Sequence, residues 1–254
     1  MSAHVKRIGL LCAPVVALLF VWEIISRSAV INPLLFPPPS LVALALWELI
    51  RNGVLIVDAA VSLWRVLAGL SIGILLGVST GLLTGRMQTL DSVMSPAINF
   101  LRPLPPVAII PIVIVWLGID DAAKIFSIAL AVFFPVWLNT HIGAQRVVQE
   151  YLWSAELLTR SKFTIFSRVV LPAALPFIVA GVRTAISTAF IMVFVSELAG
   201  AQSGLGYRIS ITQLAYRVDQ MMAGLVVLAL FSALCYRVFT RTVLRLFPWL
   251  SLHQ

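Results

Sequence analysis

Residues 151–176 read YLWSAELLTRSKFTIFSRVVLPAALP. The stretch lies between two long apolar runs and carries Glu156, Arg160, Lys162 and Arg168. Four neighbouring charges keep it out of hydrocarbon, because each ionised side chain costs about 2.5–3.5 kcal/mol at the centre of a membrane span. Yet Trp153, Leu157, Leu158, Phe163, Ile165 and Phe166 make it too apolar for an ordinary solvated linker. Trp153, Leu157 and Leu158, at i, i+4 and i+5, can share one face of a helix, with Glu156 and Arg160 at its rim. Such a face either grips another protein or caps the loop's own helices.

The composition around this loop is that of a membrane protein. Of 254 residues, 61% are hydrophobic and only 11% charged, with a mean hydropathy of +1.03; a soluble domain of this size needs far more polar surface. Apolar runs of about 20 residues, enough to cross a bilayer, recur along the chain. They predict an all-α membrane protein forming a single domain, 1–254, with six transmembrane helices: Ile8 to Ile25, then about 60–84, 93–117, 122–146, 170–198 and 221–243. The first is expected as a retained span and not a cleaved leader. After it, NPLLFPPPSLVALALWELIRNG predicts a proline-stiffened turn, Ser40 as N-cap, and an amphipathic helix to about Ile50 lying on the membrane surface. Residues 1–59 thus hold the first span and an interfacial helix, and 60–254 the core, with the opening loop at about 147–169.

Six spans put both termini on one side, and the basic residues choose it. With the termini inside, Lys6, Arg7, Arg86, Arg146, Arg160, Lys162, Arg168, Arg237, Arg241 and Arg245 are cytoplasmic, against Arg27, Arg51, Lys124, Arg208 and Arg217 outside. The cytoplasmic excess fits the positive-inside rule. The net charge of +8 is then a topology signal, and no nucleic-acid partner is expected.

Three patterns within the spans invite a structural or functional reading. Gly69, Gly73, Gly77, Gly81 and Gly85 recur every four residues, a small-residue stripe suited to close helix packing or to lining a pore or dimer contact. Pro103, Pro105, Pro106 and Pro111 crowd the third span, each removing a backbone donor, so a continuous helix is not expected there; broken backbone at membrane depth often marks a transport path. Pro14 and Pro135 are expected as single kinks. Arg183 lies about 17 Å into the membrane past Pro172 and should face the interior, as an anion contact or as a partner for a carbonyl or carboxylate. Glu197, about 21 Å further along the same helix, cannot reach it and belongs at the outer mouth. With Arg65, these two residues are the candidate translocation contacts.

Several chemistries lack their residues. Lys6, Lys124 and Lys162 follow no glycine, so there is no phosphate-binding G-x-x-x-x-G-K loop; there is no H-E-x-x-H, no G-x-S-x-G and no metal-ligand cluster. No cofactor is expected on this chain. Cys12 and Cys235 sit in apolar runs as small hydrophobes, and His4, His141 and His253 are scattered.

The loop WSAELLTRSKFTIFSRVVLPAALP resembles the cytoplasmic coupling loop of permease subunits in ATP-binding-cassette importers, which reads Glu-Ala-Ala, three residues, Gly, and closes on aliphatic-x-Leu-Pro. Val169, Leu171 and Pro172 match the ending, Ser154 and Ala155 fall on the two alanines, Trp153 replaces the family's glutamate and Thr159 its glycine. Glu156 offers a carboxylate nearby. FPPPSLVALALWELIRNG, SLWRVLAGLSIGILLGVSTGLLTGR, RPLPPVAIIPIVIVWLGI, FFPVWLNTHIGAQ and GVRTAISTAFIMVFVSELAGAQSGLGYRI are similar to the nitrate, taurine and aliphatic-sulfonate permeases, over most of the chain. The resemblance implies the type I importer fold with a cytoplasmic coupling helix, in a bacterial inner membrane. It also implies partners: a second copy of the permease, two ATPase subunits that carry ATP and Mg, and a periplasmic binding protein delivering a small anion. The alternative reading is an ATP-independent secondary transporter or channel, though no internal repeat supports it.

Overall fold

In a computed structural model, the backbone is described for residues 2–28 and 32–249, and side chains from residue 13 onward within those ranges. Every regular element among them is helical. In chain order they are α1 (Ser2–Arg27), α2 (Pro39–Arg51), α3 (Val54–Arg86), α4 (Gln88–Leu101), α5 (Pro106–Leu117), α6 (Asp121–Gln145), α7 (Gln149–Leu158), α8 (Lys162–Ile165), α9 (Leu171–Leu198), α10 (Leu205–Leu214) and α11 (Val218–Leu246). A π-helical turn, Phe166–Val170, joins α8 to α9.

Four of these segments are long and apolar enough to cross a bilayer: α3, α6, Lys162–Leu198 and α11. The pair α4 and α5 passes the same test of length and apolarity only when taken together, and it is bent by 97°, as in a broken span or a re-entrant loop. The bend falls at residues 102–105, where Pro103 and Pro105 remove donors and Pro106 starts a new helix with its φ already set. The first expected span, Ile8 to Ile25, coincides with the backbone of α1; part of it, with Cys12, has side chains outside the described residues, as does His4.

Two boundaries correct the sequence reading. The helix that carries the fifth span begins at Lys162, eight residues before the expected start of the span at 170, because helix continues through the π turn. Pro172 lacks the N–H that would bond Arg168 one α-turn back, and a π turn widens the backbone where such a bond is missing. Ser40 does not cap α2. Pro38 occupies the cap position and Pro39 the first turn, with no side-chain cap bond. The Ser40 hydroxyl instead donates to Glu23 of α1 at 2.8 Å, and Arg27 joins the same group. The φ of proline is preorganised for a helix start, so no hydroxyl is needed there.

The core is a layer of three helices with α6 in the middle. On one side, the α3 glycines meet α6 residue for residue: Gly69 against Ile128, Gly73 against Val132, Gly77 against Val136, Gly81 against Thr140 and Gly85 against Ala144. A methyl group at Gly73 would stand 2.6 Å from both the Ala129 carbonyl oxygen and Val132 Cγ1, nearer than any real contact, so the approach of α3 to α6 exists only without side chains there. On the other side α9 closes in through Gly181, whose added Cβ would lie 2.9 Å from Asn139 Cβ, and Gly143 meets Phe177. Between helices that lipid cannot push together, this intimacy supplies the dispersion energy. Val66, Ile128, Val132, Val136, Ala185, Ala189 and Val193 form its fully buried centre. Outside the layer, α2 packs Val42, Ala45 and Leu49 into a smaller cluster with Leu55, Leu205 and Ala223.

Candidate functional site

The two ends of the bundle carry different chemistry. At one end, α7 leaves the C-terminus of α6. Its inner face is held by Leu152, buried against Val147 and Val170 with Ile165, Phe166 and Val169 around it. Its outer face is apolar and bare: Trp153 is 58% exposed, Leu157 89% and Leu158 88%, and Phe163 beyond it 78%. Ser154 and Glu156 are exposed at the same surface, Ala155 and Thr159 half-buried beneath it. A helix that buries one leucine and exposes a tryptophan and two leucines has its amphipathic sense reversed, leaving its larger apolar face open.

Thr159 ends α7 with φ −153° and ψ 141°. That is ordinary extended backbone, so threonine stands there without the strain that would call for glycine. Its hydroxyl accepts the Ser161 N–H at 3.2 Å, and the Ser161 side chain in turn caps α8. Leu171 and Pro172 lie just past the π turn, within one helix that continues to Leu198.

At the opposite end, about 32 Å away along α3 from Arg86 to Arg65, sits a buried charge cluster. Asp58, Ser62 and Arg65 occupy one face of α3 at i, i+4 and i+7, all nearly inaccessible. Arg65 donates from Nη1 to Glu197 Oε1 at 2.7 Å and to the Ser203 carbonyl at 2.7 Å. Its Nε and Nη2 form a fork on Asp121 Oδ1 at 2.9 and 2.7 Å. Glu197, fully buried, also accepts from Ser62 Oγ and from the Gly206 N–H at 2.8 Å. Asp58 accepts the Gly204 N–H at 2.9 Å and Arg208 Nε at 2.8 Å, and Ser62 accepts the Leu205 N–H at 2.8 Å.

The cluster therefore caps α10. The N–H groups of residues 204, 205 and 206 open that helix without partners of their own, and two carboxylates and a hydroxyl from α3 and α9 meet them where the helix dipole favours negative charge. Gly204 turns the chain at φ +118°, a conformation that favours glycine. A side chain at Gly206 would enter the Phe194 carbonyl at 2.6 Å. Above the cluster a cleft of about 420 Å³ is lined by Arg65, Asp120, Asp121, Lys124, Gln202 and Ser203. Buried Lys124 turns its Nζ onto the Ile119 carbonyl.

Of the sequence candidates, Arg65 and Glu197 are brought together across 132 positions. Arg183 lies apart from them, half-buried in mid-α9. Asp58, Ser62, Asp121 and Arg208 were not singled out from the sequence. The signal was available for two of them, since Asp58 and Ser62 share a helical face with Arg65 in an otherwise apolar run. Among the described residues no group of three or more His, Cys, Asp or Glu side chains could hold a metal.

Residues 69–251 match the family of binding-protein-dependent transport system inner membrane components. The chain belongs to that family. The permease is 38% identical over 201 residues to an ABC transporter permease protein of Brucella melitensis biotype 1, covering 79% of this chain and 82% of that one. It is 30% identical over 249 residues to the taurine transport system permease protein of Escherichia coli (strain K12), covering 96% and 90%. Among solved structures, the inward-facing MetNI methionine ABC transporter superposes with a TM-score of 0.61 at 21% identity, covering 78% of this chain and 95% of that one. The permease is thus a multi-pass membrane subunit of an ABC transporter, a transport component and not an enzyme, and the reading as an ATP-independent carrier is set aside.

Proposed function

We propose that this permease forms half of the translocation pathway of an ATP-driven importer, paired with a second copy, two ATPase subunits and a periplasmic binding protein. The termini and α7 face the cytoplasm, in the orientation that the basic residues favour. The solute is a small anion such as nitrate, a sulfonate or taurine. The observation that carries this reading is the bare apolar face of α7, Trp153, Leu157 and Leu158, on a chain of this family. An ATPase would cover that face, with Ser154, Ala155, Glu156 and Thr159 at the contact.

Coupling would then be mechanical. Leu171 and Pro172 sit in one helix, Lys162–Leu198, so a push on α7 from a closing ATPase is carried along α9 as along a rod. The far end of that rod is Glu197, tied through Arg65 to α3 and through Asp121 to α6. Moving α9 would load this tie and the turn it holds, the kind of rigid-body change by which packed elements switch state. Arg183, on the same rod at mid-membrane, is the pathway contact in this scheme. The glycine stripe from Gly69 to Gly85 keeps α3 and α6 together as one body.

The test is copurification. The ATPase subunit expressed with this permease should remain bound in detergent, and Trp153→Asp with Leu157→Asp should release it while the permease stays monodisperse. An ATPase that stays bound to the double variant removes α7 as the docking surface.

A further inference from the structure

The last turns of α11 line a feature that the transport reading does not use. Ala229, Ala233, Tyr236, Arg237, Thr240 and Arg241 lie at i, i+4, i+7, i+8, i+11 and i+12, and together with α9 they form a groove open along its length. It is graded in chemistry. Ala229 and Ala233, with the small side chains of Ser187 and Ser232, mark its end toward the middle of the span, and the arginines its other end, about 18 Å away from Ala229 to Arg241.

That basic end lies where α11 leaves the membrane, since Arg241 is about 8 Å from the helix terminus at Leu246. Val243 packs against Val179, with Phe239 and Leu175 beside them, so this is the end at which α9 begins and α7 sits. No acidic side chain lines the groove, and neither Arg237 nor Arg241 has an ion pair or hydrogen bond among the described residues. Thr240 Oγ1 is buried there without a hydrogen-bond partner. Two guanidiniums without a counter-charge among the described residues and an unmet hydroxyl, set at headgroup depth above a mostly apolar groove, describe the complement of one molecule class.

We propose that this groove is a binding site for an anionic phospholipid, whose phosphate lies between Arg237 and Arg241 and whose acyl chain follows Ala233 and Ala229. Tyr236 supplies a further donor at the same level. A soluble anion shares the phosphate chemistry, but gains nothing from the apolar half of the groove. The proposal requires that α11 span the membrane and that this groove face lipid and not the second copy of the permease, and it is independent of what the importer carries.

The experiment uses the whole purified permease in nanodiscs of defined composition, with bound lipid counted by native mass spectrometry. Wild type should retain phosphatidylglycerol over phosphatidylcholine. Each arginine at a membrane surface contributes about 1 kcal/mol toward anionic lipid, so Arg237→Gln with Arg241→Gln should weaken that retention by about 30-fold. Arg237→Lys with Arg241→Lys should restore most of it and controls for folding. Equal retention of both lipids by wild type, or unchanged retention in the Gln double variant, overturns the proposal. Displacement of the lipid by millimolar inorganic phosphate or taurine also overturns it, by assigning the groove to a soluble anion.

Discussion

Removing the Arg65 side chain tests the charge tie most directly. In Arg65→Met the volume of the site is largely kept, so a cavity is not the main loss, and four hydrogen bonds disappear. They do not count equally. The Asp121 side chain is 53% exposed and can turn to water, so its share is screened to about 0–1 kcal/mol. Glu197 is 0% exposed and would be left as a buried carboxylate with only Ser62 and the Gly206 N–H. Stranding one member of a buried ion pair costs about 3–5 kcal/mol. The Ser203 carbonyl, at the open cleft, can take water in place of Nη1, so the expected sum is about 3–5 kcal/mol, nearly all of it from Glu197. The sign of the coupling follows. Arg65→Met with Glu197→Gln should be more stable than Arg65→Met alone, because the stranded charge is gone, whereas Arg65→Met with Asp121→Asn should gain almost nothing. Denaturant unfolding of the purified permease in mixed micelles, followed by tryptophan fluorescence, measures these in two double-mutant cycles that share Arg65→Met. A loss under about 1 kcal/mol for Arg65→Met, against the 3–5 expected for a stranded buried charge, would refute the reasoning. So would strict additivity with Glu197→Gln.

Gly73→Leu places a side chain inside the α3–α6 contact, where even a Cβ meets backbone at 2.6 Å; detergent extraction followed by gel filtration should yield little monodisperse protein. Gly53→Ala, by contrast, enters open space at φ +71° and should cost only about 1 kcal/mol in the same unfolding assay. Thr159→Gly should bring no gain in ATPase copurification, because the backbone there is already extended, and should lower stability by about 0.4–1 kcal/mol through chain entropy. Arg183→Ala should slow uptake by the reconstituted importer while leaving complex assembly intact, and an unaltered uptake rate would remove Arg183 from the pathway.

What the sequence determined by itself were the properties that depend on neighbours along the chain. Hydropathy over twenty residues marked the spans, since the bilayer tests each segment separately. The prolines around residue 105 announced the break between α4 and α5, because each acts on its own backbone. The loop at 151–176 showed its mixed character, and the spacing of Trp153 and Leu157 placed them on one face. The structure then decided which face looks outward, through the burial of Leu152 against Val147 and Val170. It was also the tertiary structure that gave the glycine stripe its partner: five small residues define a groove, but only the approach of α6 names Ile128, Val132 and Val136 as what fills it. The helix carrying the fifth span starts earlier than the sequence suggested because Pro172 reads as a boundary locally, while a π turn carries the helix past it. The charge cluster was the least legible. Arg65 and Glu197 lie 132 positions apart on different helices, and what a buried charge does depends on what folding sets beside it.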